Sequence, residues 1–276
     1  MPIRRTLASC MLLWCLATSA KAAEIVLGIE PFFNPRTLAT AFKSVRDFLS
    51  ERSGAKVVAT TAANYEQFMQ QWLNGEFDMV LAGPNLSLLA AQKAGYQQLF
   101  RCATPLRIDL VVERNSPYQT PQDLADKVVA LPNAWLLDAM LGAEFFRPPF
   151  TQQPVAVNFR HNDYTNSATL MMLRGEAAAA AVNHDALLLM SPQIRDEVRV
   201  IAQSKPYGSM MVMTHPRMTA ERRSKLRDAL IEFLAGSDPK RNIFSQVCRP
   251  SDKLLGEQEM QQLAPYVESL RRSLGK

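Results

Sequence analysis

Several points along the 276-residue chain put hydrogen-bonding side chains where a strand pattern gives way to a helix pattern. Backbone N–H groups and the positive end of a helix dipole converge at such points. Tyr65 opens a helical run directly after the β-branched segment Lys56–Thr61, so its ring and hydroxyl either face a cleft or pack in a core. Gly83-Pro84-Asn85 reads as a tight turn into a helix, with Asn85 placed to hold a ligand or to cap the helix. Asn133 and Trp135 follow the strand run Lys127–Leu131, and Trp135 either stacks on a ligand or lies between helices. Tyr164, Thr165 and Asn166 begin the next helical pattern, and Asn183 ends an alanine-rich strand. Phe32 and Phe33, just after the first strand, are cleft aromatics or a staple for the following helix. Uncharged donors and aromatic faces of this kind hold a small polar solute without transforming it.

Catalysis lacks its parts. There is no Gly-x-Ser-x-Gly elbow and no His/Asp pair placed near a strand-end serine. His184 and Asp185 are adjacent and cannot make a nucleophile–base pair alone. His161, His184 and His215 stand apart from each other and from any cysteine, so no metal site, catalytic residue or cofactor is expected.

The elements that must position these residues alternate. Strand runs at Glu24–Ile29, Lys56–Thr61 and Met79–Ala82 are separated by helical patterns over Pro35–Ser53 and Tyr65–Asn74, and Asn85–Ala94 follows. A second series runs from a strand at Ile108–Glu113 through Lys127–Leu131, a helix over Trp135–Phe146, a strand over Val155–Phe159, a helix over Asn162–Arg174 and a strand over Ala178–Val182. Strands at Val198–Gln203 and Met210–Thr214 precede helices over Thr219–Ala235 and Glu257–Ser273. Leu73-Asn74-Gly75-Glu76-Phe77-Asp78 is echoed by Leu173-Arg174-Gly175-Glu176-Ala177-Ala178, a helix end, a glycine stop and a strand entry in each case. The pattern predicts an α/β protein with two similar lobes. Residues 23–106 and 207–276 form lobe 1 and residues 107–206 form lobe 2, with crossings near Thr104–Arg107 and Ser204–Gly208. Open α/β sheets bind ligands beyond the carboxyl ends of their strands, so two facing lobes enclose a cleft that hinge motion can close.

Residues 1–22 read as a secretory signal peptide: Arg4-Arg5, an apolar run from Leu7 to Thr18, and Ala20-Lys21-Ala22 with cleavage near Ala22. Three positive charges, Arg4, Arg5 and Lys21, leave with it and no acidic residue does, so the formal net charge falls from +5 to +2. An exported protein with so small a charge is no nucleic-acid partner. Of the four cysteines, Cys10 and Cys15 lie in the signal. Cys102 and Cys248 remain as a disulfide, or else as two buried thiols.

Gly28-Ile29-Glu30-Pro31, the helix end Phe48-Leu49-Ser50-Glu51-Arg52-Ser53-Gly54, Asn64-Tyr65-Glu66, and Gly75-Glu76-Phe77-Asp78 followed by Gly83-Pro84 resemble the periplasmic solute-binding proteins of phosphonate, phosphate and phosphite ABC importers. The resemblance implies the type II periplasmic binding fold, with two lobes joined by two strands and a small ligand in the cleft. It breaks where the ligand should be gripped. Phosphonate binders carry a Ser-Thr-Ser-Gly run at a helix start of the second lobe, and here Leu131-Pro132-Asn133-Ala134-Trp135-Leu136 stands instead. Their usual histidine at the next helix start falls on Thr165 or Asn166, and their aromatic after Gly-Pro falls on Ser87. The candidate list contains no obligatory Arg or Lys, with Arg107 and Arg160 as the exceptions. The expectation is therefore a monomeric periplasmic binding protein for a small polar or anionic ligand diverged from phosphonate, serving the membrane permease of an ABC importer. The alternative is a periplasmic ligand sensor acting on a membrane receptor.

Overall fold

The computed structural model describes residues 24–236, 244–245, 248–251 and 253–275; the signal-peptide reading falls outside them. The chain opens with β1 (Glu24–Ile29), α1 (Pro35–Ala41), α2 (Lys43–Ser53), β2 (Lys56–Thr60), α3 (Tyr65–Leu73), β3 (Met79–Ala82), α4 (Pro84–Ala94) and β4 (Gln97–Cys102). β1 pairs in parallel with β2 and β3, as strands joined through helices must. Both faces of β1 are covered: Ile25, Leu27 and Ile29 pack toward α1 and α2, while Gly28 lies under Phe77. A Cβ on Gly28 would stand 2.7 Å from the Phe77 ring, so this strand position admits only glycine.

The helix expected over Pro35–Ser53 is broken at Phe42, whose backbone sits at φ −97° and ψ 3°. The Phe42 ring is buried and meets Phe244 at 5.5 Å between centroids. The strand β4 gave no clear signal in the sequence because it opens on Gln97-Gln98 and Arg101 interrupts its buried residues Leu99, Phe100 and Cys102. Tertiary pairing with later strands makes it a strand.

The chain then passes to β5 (Ile108–Glu113), a 3₁₀ turn at Pro121–Leu124, β6 (Val128–Leu131), α5 (Leu137–Glu144), β7 (Asn158–His161), α6 (Ser167–Leu173), β8 (Ala179–Asn183), α7 (His184–Leu188), α8 (Pro192–Asp196) and β9 (Val198–Gln203). It returns with β10 (Met211–Thr214), α9 (Ala220–Gly236), β11 (Pro250–Ser251) and α10 (Glu257–Leu274). Here β7 starts three residues later than the sequence pattern suggests, because the edge strand is exposed throughout and carries no apolar alternation.

Two sheets result. One has the order β11-β4-β10-β3-β1-β2 and the other β7-β6-β8-β5-β9. β10 runs antiparallel between β3 and β4, so the returning chain completes the first sheet. In the second sheet three of the five residues of β8 are alanine and α5 rests directly on it. A Cβ on Gly142 would lie 2.6 Å from the Ala181 Cβ, so small residues on both elements set that close approach.

The two crossings between the sheets pair with each other. Tyr207 N–H donates to the Leu106 carbonyl at 2.9 Å, and Ser204 N–H to the Ile108 carbonyl at 2.8 Å. The Ser204 hydroxyl accepts from Ile108 N–H at 3.0 Å. This is the two-lobed α/β fold, joined by a two-strand hinge, that the sequence resemblance implies. Cys102, at the end of β4, is bonded to Cys248 with an S–S distance of 2.10 Å. The bond ties the C-terminal segment to the edge of the first sheet.

Candidate functional site

A cavity of about 100 Å³ lies between the sheets, where strand ends of both lobes meet helix starts. From the first lobe it is lined by Glu30, Phe32, Phe33 and the turn Gly83-Pro84-Asn85. The second lobe contributes Leu136, Leu137, Asp138, Thr165, Asn183 and Asp185, and the crossings add Thr104, Pro105 and Ser209. Among the described residues its wall carries three carboxyl groups and no Lys, Arg or His.

Each lining position follows from local structure. Glu30 is the first residue beyond β1, and its carboxylate accepts the Gly83 N–H at the start of α4. Burial pushes its pKa up to about 8; the Gly83 hydrogen bond opposes the rise and the charge of Asp138 adds to it. Asp138 lies in the first turn of α5, buried, with its pKa raised to about 6 by desolvation. The Asn183 side chain and its own backbone N–H oppose that rise. Asn183 caps α7 by accepting from Asp185 N–H at 3.0 Å and Ala186 N–H at 3.2 Å. Beneath this cap the fully buried Asp109 holds His184 Nδ1 at 2.8 Å and accepts from Gln203 Nε2 at 2.7 Å, which fixes the β8–α7 turn against the hinge.

Hydrogen bonds join the lobes across the cleft. Asn85 Nδ2 donates to the Trp135 carbonyl at 3.0 Å, and Thr165 N–H donates to the Phe32 carbonyl at 3.2 Å. Asn85 is 1% exposed, and its Oδ1 has no partner.

Of the residues singled out in the sequence, Phe32, Pro84, Asn85, Thr165 and Asn183 line the cavity together. Tyr65 is buried behind this wall beside Glu30, with a hydroxyl that reaches no partner in hydrogen-bonding geometry. Asn133, Trp135, Tyr164 and Asn166 are not among the lining residues. Asn133 Oδ1 accepts the Trp135 N–H at 3.1 Å, closing a local turn that carries the indole to an apolar cluster shared by both lobes. The missing hydroxyl run of the second lobe is thus replaced by a backbone carbonyl and an apolar turn. Arg107 and Arg160 are exposed and do not line the cavity, though the Arg107 charge reaches Asp185.

Sequence reading passed over Glu30 and Asp138. The available signal was a lone carboxylate in an apolar stretch: Glu30 after Ile25–Ile29, and Asp138 amid Leu136, Leu137, Ala139 and Leu141. An unpaired acid in a buried segment has to be compensated by something in space.

No curated protein matches the chain. Among solved structures it superposes on PhnD1 from Prochlorococcus marinus in complex with methylphosphonate, with a TM-score of 0.77 and 12% identity over 90% of this chain and 98% of that one. A Xanthomonas citri protein bound to chloride ion gives a TM-score of 0.70 and 18% identity over 91% and 99%. The binding protein component of a phosphonate ABC transporter from Pseudomonas aeruginosa gives 0.66 and 15% over 92% and 96%. At these identities the likeness is one of fold. The model of the periplasmic substrate-binding proteins of phosphonate ABC transporters matches residues 27–247, and with that span the chain belongs to this solute-binding family.

Proposed function

We propose that this periplasmic solute-binding protein delivers to its ABC permease a solute other than a phosphorus oxyanion. One observation carries the reading: the donors that would hold an oxyanion are already taken by the protein. Gly83 N–H bonds to Glu30, Thr165 N–H to the Phe32 carbonyl, and Asp185 and Ala186 N–H to Asn183. What faces the cavity in their place is three carboxyl groups with no Lys, Arg or His lining it among the described residues; the charges of His184, Arg107 and Arg249 reach Asp185, while Glu30 and Asp138 have no such cation acting on them. Bringing an anion there would bury like charges against each other.

In this reading residues 1–22 are removed on export, and residues 23–106 with 207–276 hinge against 107–206 as a monomer. Phe32, Tyr65, Pro84, Asn85, Thr165 and Asn183 build or back the binding wall, and the solute is carried unchanged. Titration calorimetry with methylphosphonate, phosphate and phosphite tests it. No binding heat is expected from any of the three, and saturable binding of one of them would overturn the reading.

A further inference from the structure

The cavity wall has a surplus of hydrogen-bond acceptors at one spot. A methyl group built on Gly83 would lie 3.4 Å and 3.9 Å from the two Glu30 oxygens and 3.6 Å from Asn85 Oδ1. Oxygens of two side chains therefore converge on one small volume beside the glycine, and both side chains are more than nine-tenths buried. Asn85 uses its amide nitrogen on the Trp135 carbonyl, so the end facing this volume is an acceptor with no donor. The second buried carboxyl, Asp138, is close enough to Glu30 for its charge to act there, and it lines the same cavity. Two carboxyls confined without a counter-ion are stable as anions only when a cation joins them.

This deepens the reading that the cleft takes a solute other than a phosphorus oxyanion. We propose that the solute carries a primary ammonium group that docks beside Gly83 and donates its N–H bonds to Glu30, Asp138 and Asn85 Oδ1. A primary ammonium offers three donors and no acceptor, which matches the three acceptors presented once both carboxyls are ionised. A hydroxyl offers one donor and would turn its lone pairs toward the carboxyls. The rest of the wall, with Phe32, Leu137, Leu189 and Met210, suits a short alkyl body. Burial holds Glu30 partly protonated near pH 8 while the site lacks a cation, so docking of the ammonium releases a proton.

Calorimetry on the purified protein at about pH 8, where alkylamines are still charged, compares methylamine, ethanolamine and butylamine with methanol, ethylene glycol and butanol. At least one amine should bind tenfold or more tightly than the alcohol of the same skeleton. Glu30→Gln and Asp138→Asn should each weaken that amine by tenfold or more, the loss expected when one partner of a buried charged hydrogen bond goes. Both replacements keep the side-chain shape and remove a buried ionisable group, so folding is retained. Gly83→Ala is the independent variant. Gly83 sits at φ −62°, which alanine adopts, and its nearest neighbour would be in ordinary contact, so the unfolding midpoint should stay within about 3 °C. The added methyl fills the acceptor cradle and should abolish amine binding. Alcohols binding as well as their amines, no amine binding at all, or an amine indifferent to Glu30→Gln would overturn the proposal. Methylphosphonate binding in the same series would instead sink the reading of the function, whatever the amines do.

Discussion

At their outer ends the two lobes use the same device, and at the cleft they do not. α3 and α6 each stop at a glycine in the left-handed region, Gly75 at φ 75° and Gly175 at φ 74°. Gly75 N–H bonds to the Trp72 carbonyl and Gly175 N–H to the Met172 carbonyl, at 3.0 and 2.9 Å. The chain then enters its strand through matching bonds, Asp78 N–H to Val26 and Ala178 N–H to Val128. The cleft ends share no such pattern: lobe 1 brings Glu30 and Asn85, and lobe 2 brings Asp138 beside Asn183. A helix stop has few backbone solutions, so it recurs. A binding wall is free to change one side chain at a time, so it diverges.

The largest expected effect separates the lobes by cross-linking. The disulfide spans 146 residues of sequence and fastens the first sheet's edge, whereas lobe 2 holds none among the described residues. Replacing Cys102 and Cys248 by alanine should reduce stability by about 3–5 kcal/mol, read from urea unfolding. A loss below about 1 kcal/mol would mean that the tail docks on packing alone.

Next comes the acid of the first cleft wall. Below pH 4.5 Glu30 is protonated in both folded and unfolded chains. Between 4.5 and about 8 the unfolded chain releases that proton while the folded chain, with Asp138 and Tyr65 facing the carboxyl, retains it. Stability of the ligand-free protein therefore falls with rising pH across this window, by an amount on the order of 4 kcal/mol. Glu30→Gln should flatten the fall. Identical pH profiles for the variant and the parent would place the carboxyl in water.

The repeated turns give a finer test. Alanine at Gly75 or Gly175 must adopt a positive φ, a strain of about 1 kcal/mol in each case. At Gly75 the new Cβ would also stand 2.8 Å from His215 Nε2, while at Gly175 nothing lies within 4 Å. Gly75→Ala should therefore cost about 2 kcal/mol and Gly175→Ala about 1, measured by denaturant midpoints. Equal losses would show that His215 yields freely. The smallest effect concerns a contact between the lobes. The Tyr266 hydroxyl on α10 donates to Glu144 on α5 at 2.6 Å. Tyr266→Phe should lower stability by about 1 kcal/mol and widen the lobe angle seen by small-angle scattering.

Much of this was legible in the sequence for physical reasons. Short β-branched apolar runs marked β1 and β5, and period-3.6 spacing marked α3 and α10, because burial on two faces or on one leaves its pattern in the chain. Glycine stops were visible at Gly54, Gly75, Gly95 and Gly175, all four of which adopt positive φ. β4 was not legible, since its interrupted pattern becomes strand only by pairing with β10 and β11. At the site, Phe32, Pro84, Asn85, Thr165 and Asn183 announced themselves by standing at strand-to-helix turns. Trp135 stood at such a turn too, yet only its carbonyl reaches the cleft wall.

By itself, then, the sequence determined the alternation of elements, the two-lobed plan and the turns that face the cleft, because each depends on spacing along the chain. The tertiary structure alone decided the cleft's electrical character. Whether Glu30 and Asp138 meet, lose their water and find no cation depends on residues 108 positions apart converging in space, and nothing local encodes that.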